Sequence, residues 1–294
     1  MIRTTFKITR TGLPVMSAKA IENTATRMVE DFLGEDPETP RAIDIDAFLR
    51  DYMHLNYEEM LLSHDGYILG NFIFEGSEHI YYWDKENQCA EECFVRSRTV
   101  LVDRTRQTEE QVRFTKAHEC AHAYFHNVYE ERSPGIRLFR ESAETMKHRR
   151  PKDPKEWQDE DWMEWQANTF ASCLLMPEAM VRKLVSPMPR IHTGDPFGDR
   201  AERISRVSEV FQVTRDAARV RLDGMGLLEE EVKTGYVCLP MGREEHTSYT
   251  GLTYIGLYYD ELGNYIPERP LDPPEPGARI ITKRRKQRSA VKAR

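Results

Sequence analysis

A chain of 294 residues with 39% hydrophobic and 31% charged residues is long enough to bury a core without disulfide or metal staples. No stretch approaches the roughly 18 apolar residues of a membrane span, and the N-terminal MIRTTFKITRTGLPVM has no apolar run of the secretory type, so a cytoplasmic protein with no membrane partner is expected. The net charge of −7 is unevenly spread: residues 283–294 (KRRKQRSAVKAR) hold seven basic and no acidic residues, which leaves −14 on the remainder and excludes bulk-charge binding of nucleic acid by the body.

In chain order, residues 17–34 (SAKAIENTATRMVEDFLG) read as an amphipathic helix ending at Gly34. A short helix beginning near Asp44 or Asp46 is expected in IDIDAFLRDYM (43–53). The segments YILGNFIF (67–74), EHIYYW (78–83) and CFVRSRTVLV (93–102) are rich in β-branched and aromatic residues and predict a small, mostly antiparallel sheet. Thr108 followed by Gln111 fits a capping box, and a helix is expected from there to about Asn127. Residues 130–160 read as a charged loop, long enough to suggest a flap or binding loop. A second helix is expected at about 161–176, stopped by Pro177, and further short helices at 178–185, 200–211 and 214–224. The aromatic-rich stretch 236–268 predicts a hairpin around 261–264, ahead of a proline-rich linker and the basic tail.

The fold class expected is α+β, with the sheet packed on two motif helices, a helical segment resembling a helix-turn-helix, and a small C-terminal β region. The expected organisation is residues 1–198 as a catalytic domain, 199–235 as the helical segment, 236–268 as the β region and 269–294 as linker and tail. The five cysteines are an odd number and are expected to be reduced, with the CxxxC of Cys89 and Cys93 a weak metal signal.

The segment FTKAHECAHAYFHN contains an HExxH motif, His118 to His122. On a helix, residues i and i+4 share a face, so both imidazoles can aim at one ion. Glu119 borders that face and can take a proton from an attacking water without binding the metal. The extended HExxHxxGxxH pattern is excluded, because Phe125 and Val128 stand at its glycine and histidine positions. His126 lies about 12 Å along the axis from His118, too far for the same ion at about 2.0–2.1 Å, and is read as a supporting or packing residue. A third ligand is sought in DWMEWQANTFASCLLMP, where Glu164 lies beside an apolar stripe of Met163, Ala167, Phe170, Ala171 and Leu174. Asn168 is one turn further along the same edge, a suitable polar support. Spacing alone favours Glu164 only slightly over Glu160 and Glu178.

The blocks RFTKAHECAHAYFH (113–126) and EWQANTFASCLLMP (164–177) resemble the ImmA/IrrE family of bacterial metallopeptidases, which is of the gluzincin type. Weaker similarity runs from about Ile43 through RTVLVDRT (98–105) and on into FQVTRDAARVRLDGMGLL (211–228). The resemblance implies a zinc-dependent endopeptidase in which His118, His122 and Glu164 bind the metal, Glu119 is the catalytic base and Asn168 matches the family's asparagine. Zinc is expected, with manganese the lower-affinity alternative. Cys120 and Ala121 depart from the family's common Leu and Gly, and the 41 residues between His122 and Glu164 (123–163) exceed the usual gap. Tyr124, Tyr129, His148, Arg137 and Arg140 stand as candidates to stabilise the oxyanion. The family also implies a protein substrate, a helix-turn-helix repressor of the XRE type, whose cleavage induces mobile-element or stress genes. The alternative is a DNA-binding regulator or toxin–antitoxin component with a structural or sensing metal site, using residues 200–226 or the tail. The acidic residues Asp216, Asp223, Glu202 and Glu209 offset the arginines there and favour a supporting role for those helices.

Overall fold

The computed structural model describes residues 2, 5–34, 36–75, 77–132, 140–142, 154–188 and 196–228, together with the strand pairs noted below. The chain divides into two compact units, one of Met1–Pro187 with Ile204–Arg221, the other of Met188–Arg203 with Leu222–Arg294.

The first unit opens with a tight turn of residues 7–15, closed by Thr9 and Leu13 and by Val15 and Lys7 through backbone hydrogen bonds of 2.8 Å each. Gly12 sits there at φ +96°, with Val128 O only 2.7 Å from where a Cβ would stand, so no other residue fits. Helix α1 (Ala18–Leu33) follows, capped by Ser17 and ended by Gly34 at φ +64°, as expected. Asp44 caps α2 (Ile45–Ala47), which runs on as a π-helical turn over Phe48–Tyr52.

Five strands come next: β1 (Asn56–Glu59), β2 (Ile68–Ile73), β3 (Ser77–Asp84), β4 (Cys89–Val95) and β5 (Thr99–Val102). The expected strand over 93–102 is in fact two, because Arg98 turns the chain at φ +56°. β3 and β4 form a separate antiparallel hairpin. The main sheet has the order β1-β5-β2-β6, with β6 at Arg140–Ser142, inside the segment read from sequence as loop. β1 lies parallel to β5, and the other pairs are antiparallel. Cys89 and Cys93 are four residues apart on β4, about 13 Å along a strand, so they cannot share one ion.

Helix α3 (Glu109–Phe125) carries the predicted capping box and is followed by the short α4 (Asn127–Arg132). A 3₁₀ turn at Pro154–Glu156 leads to α5 (Asp159–Leu175) and, beyond Pro177, to α6 (Glu178–Val185). α3 lies between the sheet and α5, packed on β2 and β5 at one face and on α5 at the other. That is why its middle is buried almost all round, Thr115 through His122. The apolar stripe read on α5 is the buried one: Met163, Ala167, Phe170, Ala171 and Leu174 are each 0% exposed. Phe170 meets Phe125 of α3 edge to face, the ring centres 5.3 Å apart.

Two further helices are α7 (Pro196–Phe211) and α8 (Arg215–Gly224), joined by a turn with Gln212 at φ +52° and capped by Thr214. Within the first unit, Arg221 of α8 reaches Glu22 of α1 with two bonds of 2.6 Å and Met176 O with a third of 3.0 Å. In the second unit, Arg203 donates to Leu227 O at 3.2 Å, and Leu222 and Leu228 are buried. Its β7 (Cys238–Leu239) pairs with β8 (Thr253–Tyr254), and β9 (Tyr258–Tyr259) with β10 (Tyr265–Ile266), which brackets the expected hairpin. The proline-rich linker and basic tail lie outside the described residues. No helix among the described residues is long and apolar enough to cross a membrane.

Candidate metal centre

Burial forces the middle of α3 to find partners for its polar side chains, and α5 supplies them. His118 and His122 stack one turn apart and bring their Nε2 atoms to 2.9 Å. Glu164, projecting from α5, sets Oε2 3.4 Å from His118 Nε2 and Oε1 3.5 Å from His122 Nε2. Among the described residues, these three form the one group with metal-ligating atoms all within 4.8 Å of one another.

Two imidazole nitrogens and a carboxylate are a donor set that suits zinc. Ligands held at about 2.05 Å in a tetrahedron stand about 3.3 Å apart. The two carboxylate contacts already match that spacing, and the histidine pair needs to open by about 0.4 Å. Charge also fits. Burial, against the opposing pull of Glu164, holds His122 below the usual histidine range, which leaves a neutral ring. Burial pushes the Glu164 carboxyl up, but the two histidines beside it outweigh that and hold it well below the usual carboxylate range.

Glu119 is fully buried, and its Oε1 lies against Gly70 of β2, where a Cβ would stand 2.8 Å away. The strand thus walls the side of α3 that carries Glu119. Asn168 accepts from His118 Nδ1 at 3.0 Å, as its position one turn beyond Glu164 suggests. His126 lies behind His122, Nδ1 to Nδ1 at 2.9 Å, on the side away from Glu164. Glu160 is bonded to Tyr129 at 3.3 Å, and Glu178 pairs with Lys19 and Arg182, so neither alternative joins the two histidines.

Among the oxyanion candidates, Tyr124 donates to Ile2 O at 2.9 Å and Tyr129 is 2% exposed. The side chains of Arg137, Arg140 and His148 lie outside the described residues.

Sequence reasoning missed Gly70. It was not detectable, because its role depends on a strand meeting a helix far away in sequence.

No curated protein matches the chain. A family model described as the IrrE N-terminal-like domain, a peptidase family, matches residues 77–223, half of the sequence, from β3 through both motif helices into α8. The chain therefore belongs to the ImmA/IrrE family of metallopeptidases.

Proposed function

We infer that this protein is a zinc-dependent endopeptidase with His118, His122 and Glu164 as metal ligands and Glu119 as catalytic base. The observation that carries the reading is the convergence of those two imidazoles and one carboxylate on a single point, with Glu119 next to His118 on the same buried helix. Three protein ligands leave a coordination position open, which distinguishes a catalytic site from a structural one.

Zinc, when bound, supplies polarisation of the scissile carbonyl and a water that gives up its proton near neutral pH. Glu119 takes that proton and delivers it to the leaving amine, a role that proton transfer of this kind makes worth about 10²–10⁴-fold. Its burial against Gly70 keeps the carboxylate in one place. Asn168 orients His118 by accepting its other ring proton. Zinc is preferred over manganese because nitrogen ligands favour it in the divalent affinity order.

The substrate we propose is a helix-turn-helix repressor of the XRE type, whose removal would induce mobile-element or stress genes. This part rests on the family resemblance alone. The competing idea, a DNA-binding regulator that uses α7 and α8, is weakened by Arg221, whose guanidinium is spent on Glu22 and Met176 rather than facing solvent.

Metal analysis by mass spectrometry, on wild type and Glu164→Ala, tests the ligand set. About one zinc per chain in wild type and little in the variant is expected. Full zinc in both would remove Glu164 from the site. Cleavage of candidate repressors by wild type but not by Glu119→Gln tests the enzyme and its substrate together.

A further inference from the structure

We propose that β6 is a plug: Arg140–Ser142 occupies the edge of β2 on which an extended peptide lies to reach Glu119, and the site takes substrate only when β6 leaves that edge. What the edge is for rests on the peptidase reading above; that it is filled rests on strand pairing alone.

A sheet edge presents a row of backbone donors and acceptors, and an extended peptide can add to it as a further strand whatever its side chains. β2 is the strand in contact with the proposed base, since a Cβ on Gly70 would stand 2.8 Å from Glu119 Oε1. Its inner edge is committed to β5 through four successive pairs, from Gly70 with Val102 to Ile73 with Thr99. The backbone groups that β2 can offer a peptide are therefore those of its outer edge. β6 lies along that edge, antiparallel, with Glu141 opposite Gly70 and Arg140 opposite Asn71. Neighbouring strands are about 4.7–4.9 Å apart, so the backbone at residue 141 runs one strand spacing from the glycine that touches Glu119.

The pairing itself marks β6 as an occupant rather than a fixed member of the sheet. It spans three pairs, and the ladder shifts register between Ile68 and Gly70. Leu69, at the shift, gives its carbonyl to the β5 side, where Asp103 N and Gln107 Nε2 donate to it at 2.9 and 3.0 Å. A ladder so short and interrupted holds weakly. The pairs of β5 with β1 and with β2 run over four residues each without a shift. β6 also comes from the stretch that joins α3 to α5, the two helices that carry the proposed ligands, so it is tethered beside the groove at a high effective concentration. Tethering rather than strength keeps it on the edge, and an outside peptide meets it as a competitor.

The test uses the full chain and a fluorescein-labelled peptide of residues 136–146 (IRLFRESAETM), its binding followed by anisotropy. Glu119→Gln is the background, so that bound peptide is not cut. Glu141→Pro removes a backbone donor from β6 and does not fit within a ladder. An edge that is open in about 0.1–10% of molecules raises the apparent Kd of a peptide about 10–1000-fold, so the proline should tighten binding at least about tenfold. With Glu119 restored, Glu141→Pro should also cleave an unstructured peptide faster than wild type. The second variant joins Asn71→Cys to Arg140→Cys, directly opposite positions that a disulfide can bridge. Oxidised, it should bind no labelled peptide, and reduction should return it to the level of the background chain. Equal binding with and without the proline, or with the bridge closed and opened, would overturn the proposal and leave β6 as a structural strand. If the proline variant does not fold, the bridged pair decides alone. Tighter binding in Glu141→Pro with no cleavage by any form would keep β6 as the occupant of the edge and count against the peptidase reading instead.

Discussion

Gly70 of β2 lies so close to Glu119 of α3 that a Cβ on residue 70 would stand 2.8 Å from the glutamate's Oε1 and 2.5 Å from Thr115 Cγ2. Both distances are shorter than van der Waals contact, so the strand reaches the helix only because the side chain is missing. Gly70→Ala should push the Glu119 carboxylate aside and overpack the helix–sheet interface at a cost of about 1–3 kcal/mol. Misplacing a catalytic group by about 1 Å can cost about 10²-fold. The expected phenotype is normal zinc content, a lowered melting temperature and peptide cleavage reduced at least about tenfold. Cleavage at the wild-type rate would show that Glu119 is not held where the geometry puts it.

The cap of the metal helix is a separable element of stability. Thr108 accepts from Gln111 N at 3.4 Å while Gln111 Oε1 accepts from Thr108 N at 2.8 Å. Thr108→Ala should cost about 0.5–2 kcal/mol in urea unfolding, and Thr108→Ser much less. Zinc affinity should not change, since the cap is more than two turns from His118.

Acid should loosen the anchor between α1 and α8. Burial pushes the Glu22 carboxyl up, but the Arg221 guanidinium more than compensates and lowers it from 4.5. A carboxyl whose folded pKa lies below its unfolded value contributes stability that is complete above the unfolded pKa. That contribution is lost as pH falls from about 4.5 through the folded value. Unfolding free energy measured from pH 7 down to pH 3 should therefore fall less steeply in Glu22→Gln than in wild type. Glu22→Ala, which leaves the guanidinium buried without its partner carboxylate, should cost about 3–5 kcal/mol at pH 7. A pH slope identical in wild type and Glu22→Gln would remove the pair from the acid response.

The cysteines should separate by reactivity. Cys89 is exposed on β4, whereas Cys120 and Cys173 are buried in α3 and α5. Burial pushes both buried thiols up, that of Cys173 to about 12, so little thiolate forms near neutral pH. Brief alkylation of the native protein, mapped by mass spectrometry of peptides, should modify Cys89 and spare Cys120 and Cys173. Early labelling of Cys120 would mean that α3 opens far more readily than its packing implies.

Much of this architecture is legible locally. Ser17 and Gly34 bound α1, Thr108 and Gln111 open α3, and Pro177 closes α5, because caps and breakers act within one turn of themselves. The pairing of His118 with His122 is equally local, since helix geometry puts i and i+4 on one face whatever surrounds them. The strand pattern was partly legible: it marked β-rich sequence, but not that Arg98 breaks one run in two or that β1 runs parallel to β5. Pairing direction depends on partners distant in the chain.

Glu164 marks the boundary between the two kinds of information. Helical spacing placed it beside the buried stripe of α5 and could not separate it from Glu160 or Glu178 with any force. Only the packing of α5 on α3 sets its oxygens 3.4 and 3.5 Å from the two histidines and turns the other glutamates to Tyr129 and to Lys19 and Arg182. Gly70 against Glu119 is decided at the same level. By itself the sequence determined which residues can ligate, cap and turn, because those properties belong to a residue and its near neighbours. Tertiary structure alone decided which of them meet, because a contact across 50 or 150 residues exists only once burial has paired the surfaces that carry it.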